Sequence, residues 1–441
     1  MKTFKLGGIH PEEQKITADR PIEVLMPKQK VFVSNGQHLG APATIIVNKG
    51  DAVKTGQLIA KGEAFISANI HSPVTGKISR IDLSPDQSGY KKPMIHIDVA
   101  EDQWDENIDT SKDIKHGITF SKDEIIEKLK EKGVVGLGGA TFPSHIKLMI
   151  PDGKKIEYLI INGVECEPYL TADHRVMLER AEEMLIGVQV LMKGLSVEKA
   201  LIGIEANKPD AIAHLSALVV NFPGIEVHTL KVKYPQGAEK QLIKALLRRE
   251  VPSGKLPLDV GCVVNNAGTA LAVYEAVQKN KPLIERVVTV TGKSVTNPCN
   301  LLVRIGTPIH ELIEKAGGLP DDTGKVISGG PMMGKALNTI ESTVTKGTSG
   351  ILVMRKKESF RKEVHHCIRC RKCTTVCPIG LEPYLLSQEA KLQYWDLLEK
   401  DGVMDCIECG SCHYSCPAGV PLLDYVRVGK SAVGKIMRNR R

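Results

Sequence analysis

Eight cysteines near the C-terminal end of the chain follow the same spacing twice. The pattern C-x2-C-x2-C-x3-C-P occupies residues 367–378 and again residues 406–417. Three thiolates spaced in this way can cap one edge of an iron–sulfur cluster from a tight turn, and the fourth, before proline, points to the other cluster. The spacing predicts two [4Fe–4S] clusters, one held by Cys367, Cys370, Cys373 and Cys416 and the other by Cys406, Cys409, Cys412 and Cys377.

Disulfides and structural zinc are the alternatives for these cysteines. Disulfides need an oxidising compartment, and the N-terminal residues contain no apolar run typical of a signal peptide. Structural zinc uses paired C-x2-C knuckles rather than triplets with a trailing Cys-Pro. Three cysteines remain outside the motifs, Cys166, Cys262 and Cys299. Because eight of the eleven cysteines fall in cluster motifs, we expect a protein of the reducing cytoplasm that transfers electrons through clusters.

Composition limits the other functions. A chain of 441 residues is long enough for about three domains, and no run of 18 or more apolar residues predicts a membrane span. The net charge is +8, part of it in the basic end at residues 430–441. That end is a solvated tail or touches an anionic membrane or a partner. Aromatic residues are only 4% and no recognition motif is present, so nucleic-acid binding is not expected.

The first hundred residues predict a β-structure. Short apolar runs alternate with Gly, Pro and Asn, as in residues 45–59 and 70–78. The two runs resemble the halves of a biotinyl- or lipoyl-type barrel sandwich. In such carriers a lysine in the hairpin between the halves bears the cofactor, whereas residues 63–69 contain no lysine. We therefore expect residues 1–100 to be a structural or docking module.

A glycine-rich loop follows a polar linker at residues 101–120 and a predicted helix. Ser121 and Glu124 form a capping box for this helix, which we expect to end at Gly133. Gly136, Gly138 and Gly139 would let the backbone approach an anionic ligand closely. The loop follows a helix and precedes a strand, so it is not the usual dinucleotide fingerprint. A plain glycine-rich loop is the alternative.

Polar residues follow two predicted strands downstream. Asn162, Glu165 and Glu167 come after the strand at 156–161, and Asn265 with Asn266 ends another. Ligands bind beyond the carboxyl ends of strands in open α/β sheets, where carboxylates can accept hydrogen bonds from ribose or ribityl hydroxyls. Acidic and amide groups that only cap helices are the alternative. Strands and helices alternate here, which predicts an α/β domain over residues 115–285.

The predicted fold class is multidomain, α/β and α+β. The order is an N-terminal barrel sandwich, the central α/β domain, a small β-grasp domain over residues 286–350 and a mostly helical cluster domain over residues 358–430. Residues 431–441 form the basic tail.

Two resemblances give this order a function. The strings Gly-Leu-Gly-Gly-Ala-Thr-Phe-Pro (136–143) and Asn-Gly-Val-Glu-Cys-Glu-Pro (162–168), with the later Asn-Asn, resemble the flavin site of the NADH-oxidising subunit of respiratory complex I. The order of domains, ending in two ferredoxin motifs, resembles the C subunit of the Rnf complex, the ion-translocating ferredoxin:NAD oxidoreductase. This resemblance covers nearly the whole chain.

The resemblance implies roles for particular residues. Gly136, Gly138 and Gly139 approach the FMN phosphate and ring, and Lys147 meets the phosphate. Phe142, by stacking, and Glu167 contact the nicotinamide nucleotide. The residues that bind ribityl or isoalloxazine groups are Asn162, Glu165, Asn265 and Asn266. Glu205 and Glu239 match the family's cofactor-binding residues loosely.

The chain also departs from the complex I pattern. Leu137 stands where that family has arginine, Val164 where it has aspartate, and residues 148–150 lack its second aromatic. That family holds one cluster with another cysteine motif. These differences indicate a changed grip on FMN and NADH and favour the Rnf resemblance.

The implied function is transfer of electrons between NAD(H), FMN and two [4Fe–4S] clusters, to or from integral-membrane and peripheral subunits, and indirectly ferredoxin. Such a protein would lie on the cytoplasmic face of the cell membrane. A cobalamin-reductase-like NADH flavoprotein and a non-enzymatic iron–sulfur scaffold with a vestigial flavin site remain the alternatives.

Overall fold

A computed structural model of the chain describes residues 1–440, so Arg441 of the predicted basic tail lies outside the described residues. The N-terminal unit packs two small sheets around an apolar core that includes Val31, Ile59 and Ile95. One sheet has the order β2-β8-β7-β4 and the other β3-β5-β6. The strands are β1 (Ile22–Leu25), β2 (Lys30–Ser34), β3 (Thr44–Ile45), β4 (Ala52–Val53), β5 (Leu58–Lys61), β6 (Ile70–His71), β7 (Gly76–Pro85) and β8 (Lys91–Val99).

The first 25 residues lie apart from this sandwich. Lys2 and Ile9 form β-bridges with Leu230 and Tyr234 of the central unit, and strand β1 adds to the sheet of the third unit instead of the barrel. The N-terminal segment therefore joins units that are distant in sequence. The domain limits given above stay a prediction.

The central unit is built on a four-stranded parallel sheet with the order β11-β10-β9-β12. Leu159 and Ile161 of β9 share a core with helices α4 and α7, whereas Ile160 faces helix α6. Both faces are covered, as parallel strands require. The elements are α1 (Lys122–Glu131), α2 (Ser144–Leu148), β9 (Tyr158–Asn162), α3 (Ala172–Glu179), α4 (Ala181–Leu195), β10 (Ala200–Glu205), α5 (Pro209–Leu218), β11 (Ile225–Leu230), α6 (Glu239–Leu247), β12 (Cys262–Asn266) and α7 (Ala267–Gln278), with short 3-10 turns at Val219–Asn221 and Pro257–Val260.

The third unit is a six-stranded mixed sheet with the order β1-β14-β13-β17-β15-β16. Helix α8 packs on it through Ile309, Leu312 and Ile313. Its elements are β13 (Glu285–Thr291), β14 (Cys299–Arg304), α8 (Ile309–Lys315), β15 (Thr323–Ser328), β16 (Lys335–Ala336) and β17 (Gly350–Arg355).

The C-terminal unit is helical around a small core of Leu386, Leu398, Val426 and Val433. It contains α9 (Lys356–Ser359), α10 (Lys372–Thr375), α11 (Pro383–Lys391), α12 (Trp395–Lys400), a 3-10 turn at Val403–Asp405, α13 (Ser411–Tyr414) and α14 (Leu422–Asn439). Helix α14 continues through most of the predicted basic tail. None of the helices in residues 1–440 is long and apolar enough to cross a membrane.

Candidate functional site

The glycine loop lies between α1 and the short helix α2, which the sequence did not predict. The capping box of Ser121 and Glu124 starts α1 as expected, and Gly133, with φ of 62°, follows its end. A Cβ atom at Gly138 would lie 2.8 Å from Nδ2 of Asn266, so a larger residue would displace that side chain. No atom lies within 4 Å of a Cβ placed at Gly139. The loop thus approaches β12 closely at Gly138 and is open at Gly139.

The asparagines at the ends of two strands lie beside this loop. Asn162 of β9 pairs in register with Asn266 of β12. The Nδ2 of Asn266 donates to Asp173 (2.6 Å), and that of Asn162 donates to the carbonyl of Gly237 (2.8 Å). Asn265 differs, because its buried Nδ2 has no hydrogen-bond partner within the described residues. A buried donor without a partner is costly unless a ligand accepts from it.

Lys147 and Glu239 meet at the same edge of the sheet. The Nζ of Lys147 donates to the carbonyl of Val264 (2.8 Å) and lies 3.8 Å from the carboxylate of Glu239. Lys147 comes from α2, and Glu239 is the first residue of α6. Two separate elements therefore bring a cation and an acid together next to β12.

Glu165 caps a helix in addition to any role toward a ligand. Its carboxylate accepts from the N–H groups of Asp173 (2.9 Å) and His174 (3.1 Å) at the start of α3. Burial, with the nearby charge of Glu165, raises the pKa of Asp173 to about 7. Burial lowers the pKa of Arg286 to about 10, although the negative charges of Asp173 and Glu165 act to raise it. Because Arg286 also donates to the carbonyl of Leu137 (3.3 Å), these three charges lie under the glycine loop.

Glu167 and Glu205 have internal partners. Glu167 accepts from the N–H groups of Met332 (3.1 Å) and Met333 (2.7 Å) of the third unit, and burial raises its pKa to about 7. Glu205 accepts from the N–H of Lys233 (3.1 Å), and burial raises its pKa to about 7 as well. Phe142 is half-buried beside the glycine loop. The nucleotide-binding roles assigned to these residues stay predictions.

The groups around the loop fit a flavin mononucleotide. The free Nδ2 of Asn265 suits an acceptor on a ribityl or ring system. The Gly138–Gly139 backbone leaves room for a close approach, and the ammonium of Lys147 suits a phosphate. Each of these features comes from a different element, and all converge on the carboxyl ends of β9 and β12.

The second cysteine motif forms a compact site. A cavity is lined by Cys377, Cys406, Cys409 and Cys412, the four residues predicted to hold one cluster. Its walls also include Leu386, Leu423 and Val426. Among the described residues, no group of three or more His, Cys, Asp or Glu side chains could hold a metal ion as they stand. Four thiols around a cavity, rather than around one point, fit the larger [4Fe–4S] cluster.

The ligands predicted for the other cluster are more open. Cys367 and Cys370 are exposed, whereas Cys373 and Cys416 are partly buried. Cys367 is close enough to raise the pKa of Cys373, although burial is the larger cause. The assignment of these four ligands stays a prediction.

The central unit and the N-terminal segment directly contact the residues that form this cavity and their neighbours. The hydroxyl of Tyr234 donates to the carbonyl of Cys409 (2.8 Å), and Gln241 donates to the carbonyl of Pro378 (3.2 Å). The N–H of Gly8 donates to the carbonyl of Val376 (2.9 Å). A Cβ at Gly7, where φ is 62°, would overlap the carbonyl of Cys377. The buried thiols are thus held against the nucleotide-site unit.

Sequence patterns did not indicate several of these residues. Lys15, which lies within residues assigned to the barrel, donates to the carbonyls of Glu165 (2.8 Å), Glu167 (2.9 Å) and Leu170 (2.7 Å). Burial lowers its pKa to about 8. Asp173 and Arg286 have no motif of their own. An acid in the first turn of a helix, such as Asp173 in α3, is the one signal that the sequence offers.

Family models match four consecutive parts of the chain. The RnfC barrel sandwich hybrid domain matches residues 2–102, and the Nuo51 FMN-binding domain matches residues 129–275. The SLBB domain matches residues 287–336, and the 4Fe-4S dicluster domain matches residues 360–427. Fold and matches together define an iron–sulfur flavoprotein, which confirms the predicted fold class and the prediction of FMN and two clusters.

Curated relatives cover the whole chain. The C subunit of the proton-translocating ferredoxin:NAD(+) oxidoreductase complex of Clostridium ljungdahlii is 47% identical over 98% of this chain and 94% of its own length. The C subunit of the Na(+)-translocating complex of Acetobacterium woodii is 44% identical over 98% and 97%. The chain belongs to this family, the C subunits of the Rnf-type ion-translocating oxidoreductase complexes, as the resemblance predicted.

A solved structure shows a similar fold. An NAD+-reducing [NiFe]-hydrogenase in the H2-reduced state matches with a TM-score of 0.50 and 17% identity, over 70% of this chain and 62% of that one. At this identity the match concerns the fold alone.

Proposed function

We propose that the chain passes electrons between NAD(H) and the other subunits of a membrane-bound ferredoxin:NAD oxidoreductase. The names of the relatives with 47% and 44% identity support this function. When bound, FMN supplies the exchange between hydride and single-electron chemistry, and [4Fe–4S] clusters supply single-electron transfer. The protein binds, orients and separates these groups.

The residues divide this work between the two units. Gly136, Gly138 and Gly139 leave space for the flavin, and Asn265 and Lys147 hold it through a hydrogen bond and a charge. The other cofactor-binding residues that we assign are Asn162, Glu165, Glu205, Glu239 and Asn266. Phe142 and Glu167 meet the nicotinamide nucleotide. Because Glu167 also binds the third unit, its carboxyl connects the nucleotide site to the rest of the fold.

One observation favours this function over a non-enzymatic iron–sulfur scaffold. The thiols of Cys377, Cys406, Cys409 and Cys412 line one cavity, and the Cys409 carbonyl accepts a hydrogen bond from Tyr234 of the nucleotide-site unit. A non-enzymatic carrier needs no such contact. The contact keeps a cluster site and a flavin-type loop within one packed structure.

We place the protein on the cytoplasmic face of the membrane, as a peripheral member of its complex. The relatives' names support membership of a multisubunit complex. The free thiols of all eleven cysteines suit a reducing compartment, which supports the cytoplasmic face.

Reconstitution of the full chain tests this function. Anaerobically reconstituted protein should hold about eight iron atoms per chain, bind FMN, and lose cluster absorbance on addition of NADH. Zinc without iron would contradict the cluster assignment. Intact clusters without FMN binding or NADH oxidation would favour the scaffold, and NADH-dependent reduction of cobalamin without membrane partners would favour the cobalamin-reductase alternative.

The variant Asn265→Ala tests the flavin site itself. Its Nδ2 has no partner inside the described part of the protein, so removing it should leave the free energy of unfolding of the FMN-free chain nearly unchanged. The same change should weaken FMN binding about tenfold, the value of one hydrogen bond. Asn221→Ala, on the exposed surface of the central unit, is the matched control. Equal FMN affinity in both variants would refute the role of Asn265.

A further inference from the structure

Thirteen consecutive residues before the buried cluster site are exposed. Residues 360–372, here called the 360–372 strip, form no helix or strand before α10 begins at Lys372. The strip carries five Lys or Arg residues against one glutamate, a net charge of +4. Backbone contact still fixes it, because the N–H of His365 donates to the carbonyl of Ala418 (2.9 Å).

The positive charge of the strip is mostly unbalanced. Arg361 pairs with Asp424, and His365 lies 4.0 Å from Glu363. No salt bridge in residues 1–440 involves Lys362, Arg369, Arg371 or Lys372. Helix α14 differs in part. Its Arg427 and Lys430 both pair with Glu408, whereas its exposed Lys435 and Arg438 enter no salt bridge within the described residues. The strip therefore presents four free cations within eleven residues, 362–372.

Apolar side chains are interleaved with these cations. Phe360, Val364 and Ile368 are 71%, 61% and 68% exposed. Large apolar groups surrounded by charges are typical of protein interfaces, where the apolar centre is buried and the charged rim steers association. A surface without a binding partner has no physical reason to expose three large apolar side chains within residues 360–368.

The strip also contains two of the predicted cluster ligands. Cys367 and Cys370 are exposed, whereas the second set of thiols lines a cavity next to the central unit. An electron-transfer partner needs close approach to one of the two sites. The strip offers that approach through its exposed cysteines, whereas Tyr234 and the N-terminal residues pack against the other site.

We propose that the 360–372 strip is a docking surface for an acidic redox protein. The charge selects an acidic surface, the apolar residues supply the buried centre, and the exposed cysteines place the partner beside a cluster site. An anionic lipid surface would also match the charge. It contains no redox group, however, so it would leave the exposed Cys367 and Cys370 unexplained. The proposal rests on the electron-transfer function proposed above.

A binding experiment on the reconstituted full-length chain tests this surface. The probe is an acidic two-cluster ferredoxin, titrated at low and at moderate ionic strength. The triple variant Lys362→Gln, Arg369→Gln and Lys372→Gln should bind it about tenfold more weakly and with a smaller salt dependence. Lys49→Gln, Lys91→Gln and Lys112→Gln remove the same charge from exposed, unpaired positions elsewhere and should bind like the unmodified chain. Iron content confirms that both triples keep their clusters.

Three outcomes would overturn the proposal. Equal weakening in both triples would show a general charge effect, and no binding by the unmodified chain at low salt would show no such surface. A parallel titration with phosphatidylglycerol vesicles completes the design. If only vesicles bind, and only through the strip, the surface recognises lipid and the proposal of an acidic protein is wrong. Because binding is measured without NADH, a chain that docks the ferredoxin but fails to oxidise NADH would refute only the proposed function.

Discussion

The two cysteine motifs share one spacing, but the two cluster sites that they form have different surroundings. Cys377, Cys406, Cys409 and Cys412 line a cavity against the central unit, whereas Cys367 and Cys370 lie on an exposed basic strip. Repetition of a ligand pattern thus predicts the cofactor but not its neighbours. The difference arises from residues far away in sequence, Gly7, Gly8, Tyr234 and Gln241, which cover only one of the two sites.

The largest expected difference between the two sites concerns ligand removal. Cys409→Ser and Cys370→Ser should each lower the iron content from about eight to about four per chain. Cys409→Ser should also lower the free energy of unfolding by roughly 3 kcal/mol or more, because an unfilled cavity remains among Leu386, Leu423 and Val426. Cys370→Ser should cost less than about 1 kcal/mol, since Cys370 is exposed. Iron analysis and urea unfolding measure both effects; equal losses of stability would refute the contrast.

A pH-dependent effect should appear on the covered side. Burial raises the pKa of Glu167 to about 7, so the folded chain keeps a proton there that the unfolded chain loses near pH 4.5. The contribution of Glu167 to the free energy of unfolding should therefore be complete below about pH 4.5 and fall by roughly 2 to 3 kcal/mol as pH rises through 7. Urea unfolding between pH 4.5 and 8 should show a smaller fall for Glu167→Gln. An unchanged pH profile in that variant would contradict the assignment.

A smaller effect tests the contact between the units. Tyr234→Phe leaves the buried Cys409 carbonyl without its donor, which should cost about 1 to 2 kcal/mol and speed hydrogen exchange in residues 406–412. Tyr384→Phe is the matched change near the exposed motif. Its hydroxyl donates to the exposed Glu382 (3.2 Å), so the loss should stay below about 0.5 kcal/mol. If the two variants are equally stable, Tyr234 does not hold the cluster site against the central unit.

Much of the fold could be predicted because its signals are local. Alternating strand and helix patterns predicted the α/β unit over residues 115–285, which contains the four parallel strands β9 to β12. The capping box predicted the start of α1. Within the cluster domain, which the sequence predicted to be mostly helical, α11 and α12 are separated by a turn at Leu392 and Gln393 in which Gln393 has φ of 60°. A left-handed residue of this kind has no clear signature when it is not glycine.

The sequence by itself determined which chemistry this protein can hold. Eight thiols at fixed spacing specify two clusters, and the glycine loop with the strand-end asparagines specifies a nucleotide-type site, because each of these motifs is a short run of residues that can be read locally. Only the tertiary structure decided how these parts are connected. It placed Lys15 against the loop that follows β9 and placed Asp173 and Arg286 under the glycine loop. It also buried Cys377 and Cys409 while leaving Cys367 and Cys370 exposed. Those choices depend on contacts between residues far apart in the chain, for which spacing carries no information.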